Sequence, residues 1–147
     1  MTNLSKNNSL DVAIIGAGPI GCYAAYLLSK NHKVTIYENH ATVGSPIQCT
    51  GILTSDFDQF NIPTVPFLVN TISKIEVHSP SKSLTINQKD YIVCRTKFDQ
   101  HLAQLAESAG ATIHTNHSFQ RKEGDSLIIK NKDKKITVSP DIVIAAD

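Results

Sequence analysis

Asp11-Val-Ala-Ile-Ile-Gly16-Ala-Gly18-Pro-Ile-Gly21 decides the fold of this chain. A β-branched apolar run breaks into three glycines and then into a helical pattern, which is the order strand, turn, helix. Gly16 suits a tight turn, Gly18 lets backbone approach a diphosphate, and Gly21 lets the helix lie close to the strand. A diphosphate placed there meets the free N–H groups and positive end of a helix. Small Ala25 follows on the same helix face. The next strand, Lys33-Val-Thr-Ile-Tyr-Glu38, closes on an acid at the distance expected for hydrogen bonding to a ribose hydroxyl. Together these elements imply an adenine dinucleotide, against the plainer alternative of a glycine turn between core elements.

Composition narrows the remainder. A chain of 147 residues carries enough sequence for one domain with a real core. A formal net charge of +1, without a long block of like charge, gives no electrostatic footprint for nucleic acid. Cys22, Cys49 and Cys94 are odd in number and lack metal-knuckle spacing, which fits a reducing cytoplasm. No run approaches the ~20 apolar residues of a membrane span. The expected localisation is cytoplasmic, with peripheral membrane contact as its variant.

Residues 1–10 are polar and are expected to be disordered. The first helix carries Ile20, Ala24, Leu27 and Leu28 at helical spacing and is expected to end near Asn31 in the left-handed conformation. Residues 42–71 read as irregular, broken by Pro46, Pro63 and Pro66. Ser73 to His78 and Ser83 to Asn87 alternate about Ser79-Pro-Ser-Lys as a hairpin. Thr96 and Asp99 have capping spacing for a second helix with an apolar face of Phe98, Leu102, Leu105, Ala106 and Ala109, stopped by Gly110. Ala111 to His114 is expected as the third parallel strand. A three-stranded meander follows over 118–122, 126–130 and 135–138, and Asp141 to Asp147 is expected as a further buried parallel strand. The expected fold is α/β: a Rossmann-like dinucleotide-binding domain with a parallel sheet and an antiparallel meander. Residues 11–147 form it, with 42–90 a loop and hairpin insertion towards the substrate side.

Three blocks carry a resemblance to a known family. They are the Gly16 to Gly21 fingerprint with Glu38; Gly44-Ser-Pro46-Ile-Gln-Cys49-Thr-Gly51; and Cys94-Arg95-Thr-Lys-Phe98-Asp99. With the ending Ile144-Ala-Ala-Asp147, they resemble the N-terminal part of the geranylgeranyl reductase family of FAD-dependent oxidoreductases, in the group that includes para-hydroxybenzoate hydroxylase. The resemblance implies an FAD diphosphate on Gly16, Gly18, Pro19, Ile20 and Gly21, and an adenosine ribose on Glu38. It implies a flavin region lined by Cys49, Thr50 and Gly51, with Cys49 the one catalytic candidate. Arg95 approaches the cofactor as a fixed guanidinium fork, Phe119 or its neighbour Ser118 meets the adenine, and Asp147 leads into an Ala-Asp-Gly turn. The implied reaction is reduction of isoprenoid C=C bonds by hydride from reduced flavin, with NAD(P)H as electron donor. The substrate is an isoprenoid or another apolar small molecule.

The family runs well past its Ala-Asp strand. The resemblance therefore implies an N-terminal portion, an incomplete FAD/NAD(P)-binding domain that is either a truncated gene product or one half of a split enzyme whose remainder comes as a separate chain. The alternative is a non-catalytic dinucleotide-binding module or an inactive remnant, so enzymatic activity of this chain stays open. Each site residue also has a plainer reading: Cys49 as an inert thiol, Arg95 as a solvated residue before a helix, Glu38 as a surface acid. His114 and His117 lack partner acids or cysteines, so no metal site is expected. Phe57, Phe60 and Phe67 read as packing residues.

Overall fold

The computed structural model describes residues 9–147. In chain order the elements are β1 (Asp11–Ile15), α1 (Pro19–Leu28), β2 (Lys33–Tyr37), β3 (Ile52–Thr54), a 3-10 helix (Ser55–Phe60), β4 (Leu68–His78) and β5 (Ser83–Val93). They continue with α2 (Arg95–Ser108), β6 (Thr112–His114), β7 (Ser118–Glu123), β8 (Ser126–Asn131), β9 (Lys134–Val138) and β10 (Ile142–Ala145). The parallel sheet has the order β10-β1-β2-β6, so β1 lies between β2 and β10. The Rossmann-like α/β architecture, with its parallel sheet and meander, is the one expected.

Alternation along β1 builds the layers, because successive side chains point to opposite faces. Val12 and Ile14 join Val34, Ile36, Phe98 and Leu102 in the core on the helix side. Ala13 and Ile15 join Leu127 and Ile129 of the meander on the other side. β1 is thus buried on both faces, the environment that a continuous apolar run suits.

Several expectations need correction. The buried face of α1 is Gly21, Cys22 and Ala25, whereas Ile20 is 74% exposed and Leu27 is 45% exposed. Small side chains face the sheet because α1 lies directly on the glycine turn. The helix ends at Leu28, not Asn31: the N–H groups of Asn31 and His32 both donate to the Leu28 carbonyl, and the cap, Ser29, is right-handed. Around α2 no capping box forms. Thr96 Oγ1 donates to the Gly44 carbonyl and Asp99 accepts from Arg95. The stop at Gly110, with φ +107°, is as expected.

The stretch 42–71 is less irregular than its prolines suggest. It contains β3, the 3-10 helix and the start of β4, which extends the hairpin to two strands of eleven residues. Register shifts between Leu68 and Asn70 and between Ile72 and Lys74 break the alternation that sequence reading depends on. Phe67 lies 4.9 Å from Phe98 and 6.2 Å from Phe57, ring to ring, and anchors the start of β4 in the core. β10 is not buried as expected. It pairs with β1 alone among the described residues, leaving Ile142 and Val143 exposed. Of the N-terminal stretch expected to be disordered, residues 1–8 lie outside the described residues, while Leu10 accepts the Lys33 N–H at 2.9 Å.

A methyl group on Gly21 would stand 2.1 Å from the Gly16 carbonyl oxygen, so α1 can reach its position only without a side chain there. Gly21→Ala is expected to cost about 3 kcal/mol through overpacking, read as a lower urea midpoint. Gly18→Ala, whose added carbon meets only the Ala146 carbonyl oxygen at 3.9 Å, is expected to leave that midpoint nearly unchanged.

Candidate functional site

The carboxyl ends of β1, β2 and β10, the N-termini of α1 and α2, and the start of β7 enclose a cleft of about 570 Å³. It lies where neighbours of β1 diverge, the position at which open α/β sheets receive ligands.

The glycine turn forms one wall. Gly16, at φ +99°, donates its N–H to the Tyr37 carbonyl at 2.9 Å. Gly18 precedes α1 in extended backbone and opens onto the cleft beside Pro19 and Ile20. No side chain caps α1 and no acid stands in its first turn, so its positive end is unspent. Gly21 lies beneath, holding the helix against the turn. Cys22 Sγ donates to the Ala17 carbonyl at 3.2 Å, and burial, followed by the nearby Asp99 and Glu38, pushes this thiol up to about 12. It is a packing group.

Glu38 sits at the end of β2 with both carboxylate oxygens engaged. Oε2 accepts the Ala17 N–H at 2.8 Å; Oε1 accepts the His40 N–H at 2.8 Å and is 2.7 Å from His40 Nδ1. Burial, the largest influence, raises this carboxyl, but the two N–H donors and the His40 ring together hold it below its usual 4.5. His40 escaped the sequence reading. Its signal is weak, a histidine two residues past the acid at the strand end.

On the opposite side, Arg95 and Asp99 form a fork one helical turn apart. Nε donates to Oδ1 at 3.0 Å and Nη2 to Oδ2 at 3.1 Å, with both side chains largely buried. Burial lowers the guanidinium, yet the Asp99 hydrogen bonds and charge leave it raised. Beyond it, Gly51 at φ +79° passes so close that a methyl group would meet the Val93 carbonyl oxygen at 2.6 Å and Arg95 Cγ at 3.2 Å. Cys49 is exposed, and the Gly51 N–H, the Thr50 side chain and the Thr50 N–H hold its thiol below the ordinary range.

The remaining wall comes from β6 and β7. His117 Nδ1 is 2.7 Å from the Thr115 carbonyl oxygen, which requires the proton on that nitrogen and leaves Nε2 to accept from Asn131 at 3.0 Å. The rings of Tyr37 and His114 stack at 5.8 Å, and burial, with His117 beside it, lowers His114. No cluster of three or more metal-ligating residues occurs among the described residues.

Of the residues singled out from sequence, Gly16, Gly18, Pro19, Ile20, Glu38, Arg95, Phe119 and Asp147 line this one cleft. Gly21, Cys49, Thr50 and Gly51 do not. Tyr37, His40, Gln48 and His117 line it without having been chosen. They arrive through the strand end, the proline loop and the β6–β7 turn, whose convergence is a tertiary matter.

Fold and cleft define a Rossmann-type nucleotide-binding domain. Residues 14–71 match the NAD(P)-binding Rossmann-like domain family. Over 96% of its length the chain is 32% identical to digeranylgeranylglycerophospholipid reductase of Methanocaldococcus jannaschii, of which it covers 38%. It is 29% identical, over 93% of its length, to the same-named protein of Picrophilus torridus, again covering 38%. A crystal structure of a geranylgeranyl bacteriochlorophyll reductase-like protein from Thermoplasma acidophilum superposes with a TM-score of 0.80 at 28% identity, over 95% of this chain and 39% of that one. The chain is thus a relative of the geranylgeranyl reductases, matching their N-terminal part and spanning less than two-fifths of their length.

The depressed carboxyl of Glu38 ties stability to pH. Its contribution is present above the unfolded-chain value and is lost as pH falls through the lower folded value. Glu38→Gln is therefore expected to be less stable than the parent at pH 7, with the gap narrowing in paired urea melts as pH falls below the ordinary carboxylate range.

Proposed function

We propose that the chain is the dinucleotide-binding portion of an FAD-dependent oxidoreductase that reduces C=C bonds of an isoprenoid lipid. One observation carries the proposal: on a single cleft, an uncapped helix start behind Gly18 faces the same space as the fixed carboxylate of Glu38. These are the two polar demands of an adenosine diphosphate, an anion site and an acceptor for ribose hydroxyls. The residues present fit FAD. The space where a Gly18 side chain would stand is open, which leaves backbone free to meet phosphate oxygens.

In this reading the backbone of Gly16 to Gly21 holds the diphosphate, Glu38 takes the ribose, and Ser118 and Phe119 border the adenine. Arg95, held by Asp99, presents a fixed charge to the cofactor. Cys49, Thr50 and Gly51 form the flavin side of the proline loop, with Cys49 the candidate catalytic group. When bound, FAD supplies hydride transfer from its reduced ring, and the protein's part is to orient it and exclude water. The relatives' names support an isoprenoid glycerophospholipid as substrate, with NAD(P)H as donor. The three-stranded sheet of β3, β4 and β5 is assigned to the substrate side. No helix among the described residues is long and apolar enough to cross a membrane. We assign the protein to the cytoplasm with peripheral access to lipid, its activity completed by the polypeptide that occupies the rest of the relatives' length.

A second reading, a binding module without catalysis, is favoured by the position of Cys49 and Thr50, which do not line the cleft. One experiment separates the two. The purified chain is mixed with FAD, freed of excess and scanned in the visible range. A retained, shifted flavin band that is lost in Gly18→Val, with the variant's urea midpoint preserved, is the expected result. Absence of retained flavin in the folded parent overturns the FAD reading. With the polypeptide that occupies the rest of the relatives' length supplied, reoxidation of the dithionite-reduced complex by a geranylgeranylated lipid without oxygen marks the reductase; a flavin that stays reduced under those conditions marks the binding module.

A further inference from the structure

The Glu38 carboxylate is more heavily engaged than a waiting ligand site requires. An ionised carboxylate offers about four acceptor positions. Three donors already use them: the Ala17 N–H on Oε2, and the N–H and ring of His40 on Oε1. Because the carboxylate only accepts, the 2.7 Å contact to Nδ1 places a proton on that ring nitrogen. The segment carrying the pair is itself pinned. The Glu38 N–H donates to the His114 carbonyl at 2.9 Å, the Glu38 carbonyl accepts from His117 at 2.7 Å, and the His40 carbonyl accepts from Asn116 at 3.0 Å. The acid is therefore held from both sides, by the glycine turn through Ala17 and by the β6–β7 turn through His40.

We propose that His40 is a positioning residue for nucleotide recognition: its ring fixes Glu38 so that one acceptor position, on Oε2, remains for a single hydroxyl of an unmodified ribose. This inference rests on the dinucleotide reading of the cleft. The ligand class is a ribonucleoside diphosphate with a free ribose hydroxyl. The half-exposed ring, 39% accessible at its side chain against 10% for Glu38, lines the same cleft. Pre-setting an acceptor in this way lowers the ordering cost of binding. Without the ring, Oε1 keeps only a backbone donor and the carboxylate is free to turn from the ribose.

The test compares ADP with 2′,3′-dideoxy-ADP by calorimetry on the full chain, as parent, His40→Leu, His40→Asn and His40→Asp. The parent is expected to prefer ADP by about tenfold or more, the range for a hydrogen bond to a charged group. His40→Leu is expected to bring the preference within about twofold, as the lost donor frees the acid. His40→Asn keeps a side-chain N–H at the place of Nδ1 and is expected to retain most of the preference. His40→Asp, which puts an acceptor and like charge there, is expected to lose it. The Asn and Asp variants are nearly isosteric, so their contrast carries the test if the leucine variant does not fold. Loss of both ligands in parallel across all variants would mean a merely structural histidine and overturn the proposal. An ADP preference untouched by His40→Leu or by the Asn-to-Asp contrast would also overturn it, leaving the dinucleotide reading intact. A folded parent that binds neither nucleotide overturns both.

Discussion

The contact between α1 and the glycine turn is the constraint on which the rest of the molecule depends. Gly21 stands so near the Gly16 carbonyl that only a hydrogen atom fits between them. That approach fixes the height of the helix over the sheet, and hence the position of its unspent positive end relative to the carboxyl ends of the strands. It also explains why α1 faces the sheet with Gly21, Cys22 and Ala25 and leaves Ile20 in solvent. A bulkier buried face would lift the helix and shift its uncapped N-terminus along with the packing.

Two hydrogen-bond networks then give the cleft its walls. Through Ala17 and His40, Glu38 joins the glycine turn to the segment leaving β2, and through its backbone it joins both to the β6–β7 turn. Across from it, Asp99 holds Arg95 while Thr96 and Gln100 bond the carbonyls of Gly44 and Val43, tying the proline loop to α2. The charged groups here are nearly all paired. A buried pair of this kind adds little net stability, because desolvation offsets much of the Coulomb attraction. Its effect is to fix geometry. Glu38 and Arg95 are tied into these networks, whereas Cys49 and Thr50 are exposed and lie off the cleft lining.

Much of the fold was legible because it rests on local periodicity and local backbone need. β1, β2, α2 and the meander follow from alternation or helical spacing, and Gly110 from a left-handed stop. Other elements were not legible, for particular reasons. The first residues of β4 pair with Tyr91 to Val93 across a bulge, so neither proximity in sequence nor alternation marks them. Arg95 and Asp99 stand at ordinary i,i+4 helix spacing, and the i,i+3 spacing between Thr96 and Asp99 imitates a capping box that does not form. The choice lay in whether the Gly44 carbonyl was near enough to take the Thr96 hydroxyl. His40 is separated from its partner by two residues, yet its role depends on Ala17 reaching the same carboxylate from another element.

The sequence by itself determined that a strand, a glycine turn and a helix start form one unit, and that an acid ends the neighbouring strand. Those demands are steric and local, and few residues satisfy them. The tertiary structure alone decided which side chains share the cleft. It brought Arg95, Phe119 and Asp147 to the glycine turn and kept Cys49 and Thr50 off the cleft lining. It also left Glu38 with three donors in place. The reason is geometric: these groups meet through strand order and long-range hydrogen bonds, and separation along a chain carries no record of distance in the folded state.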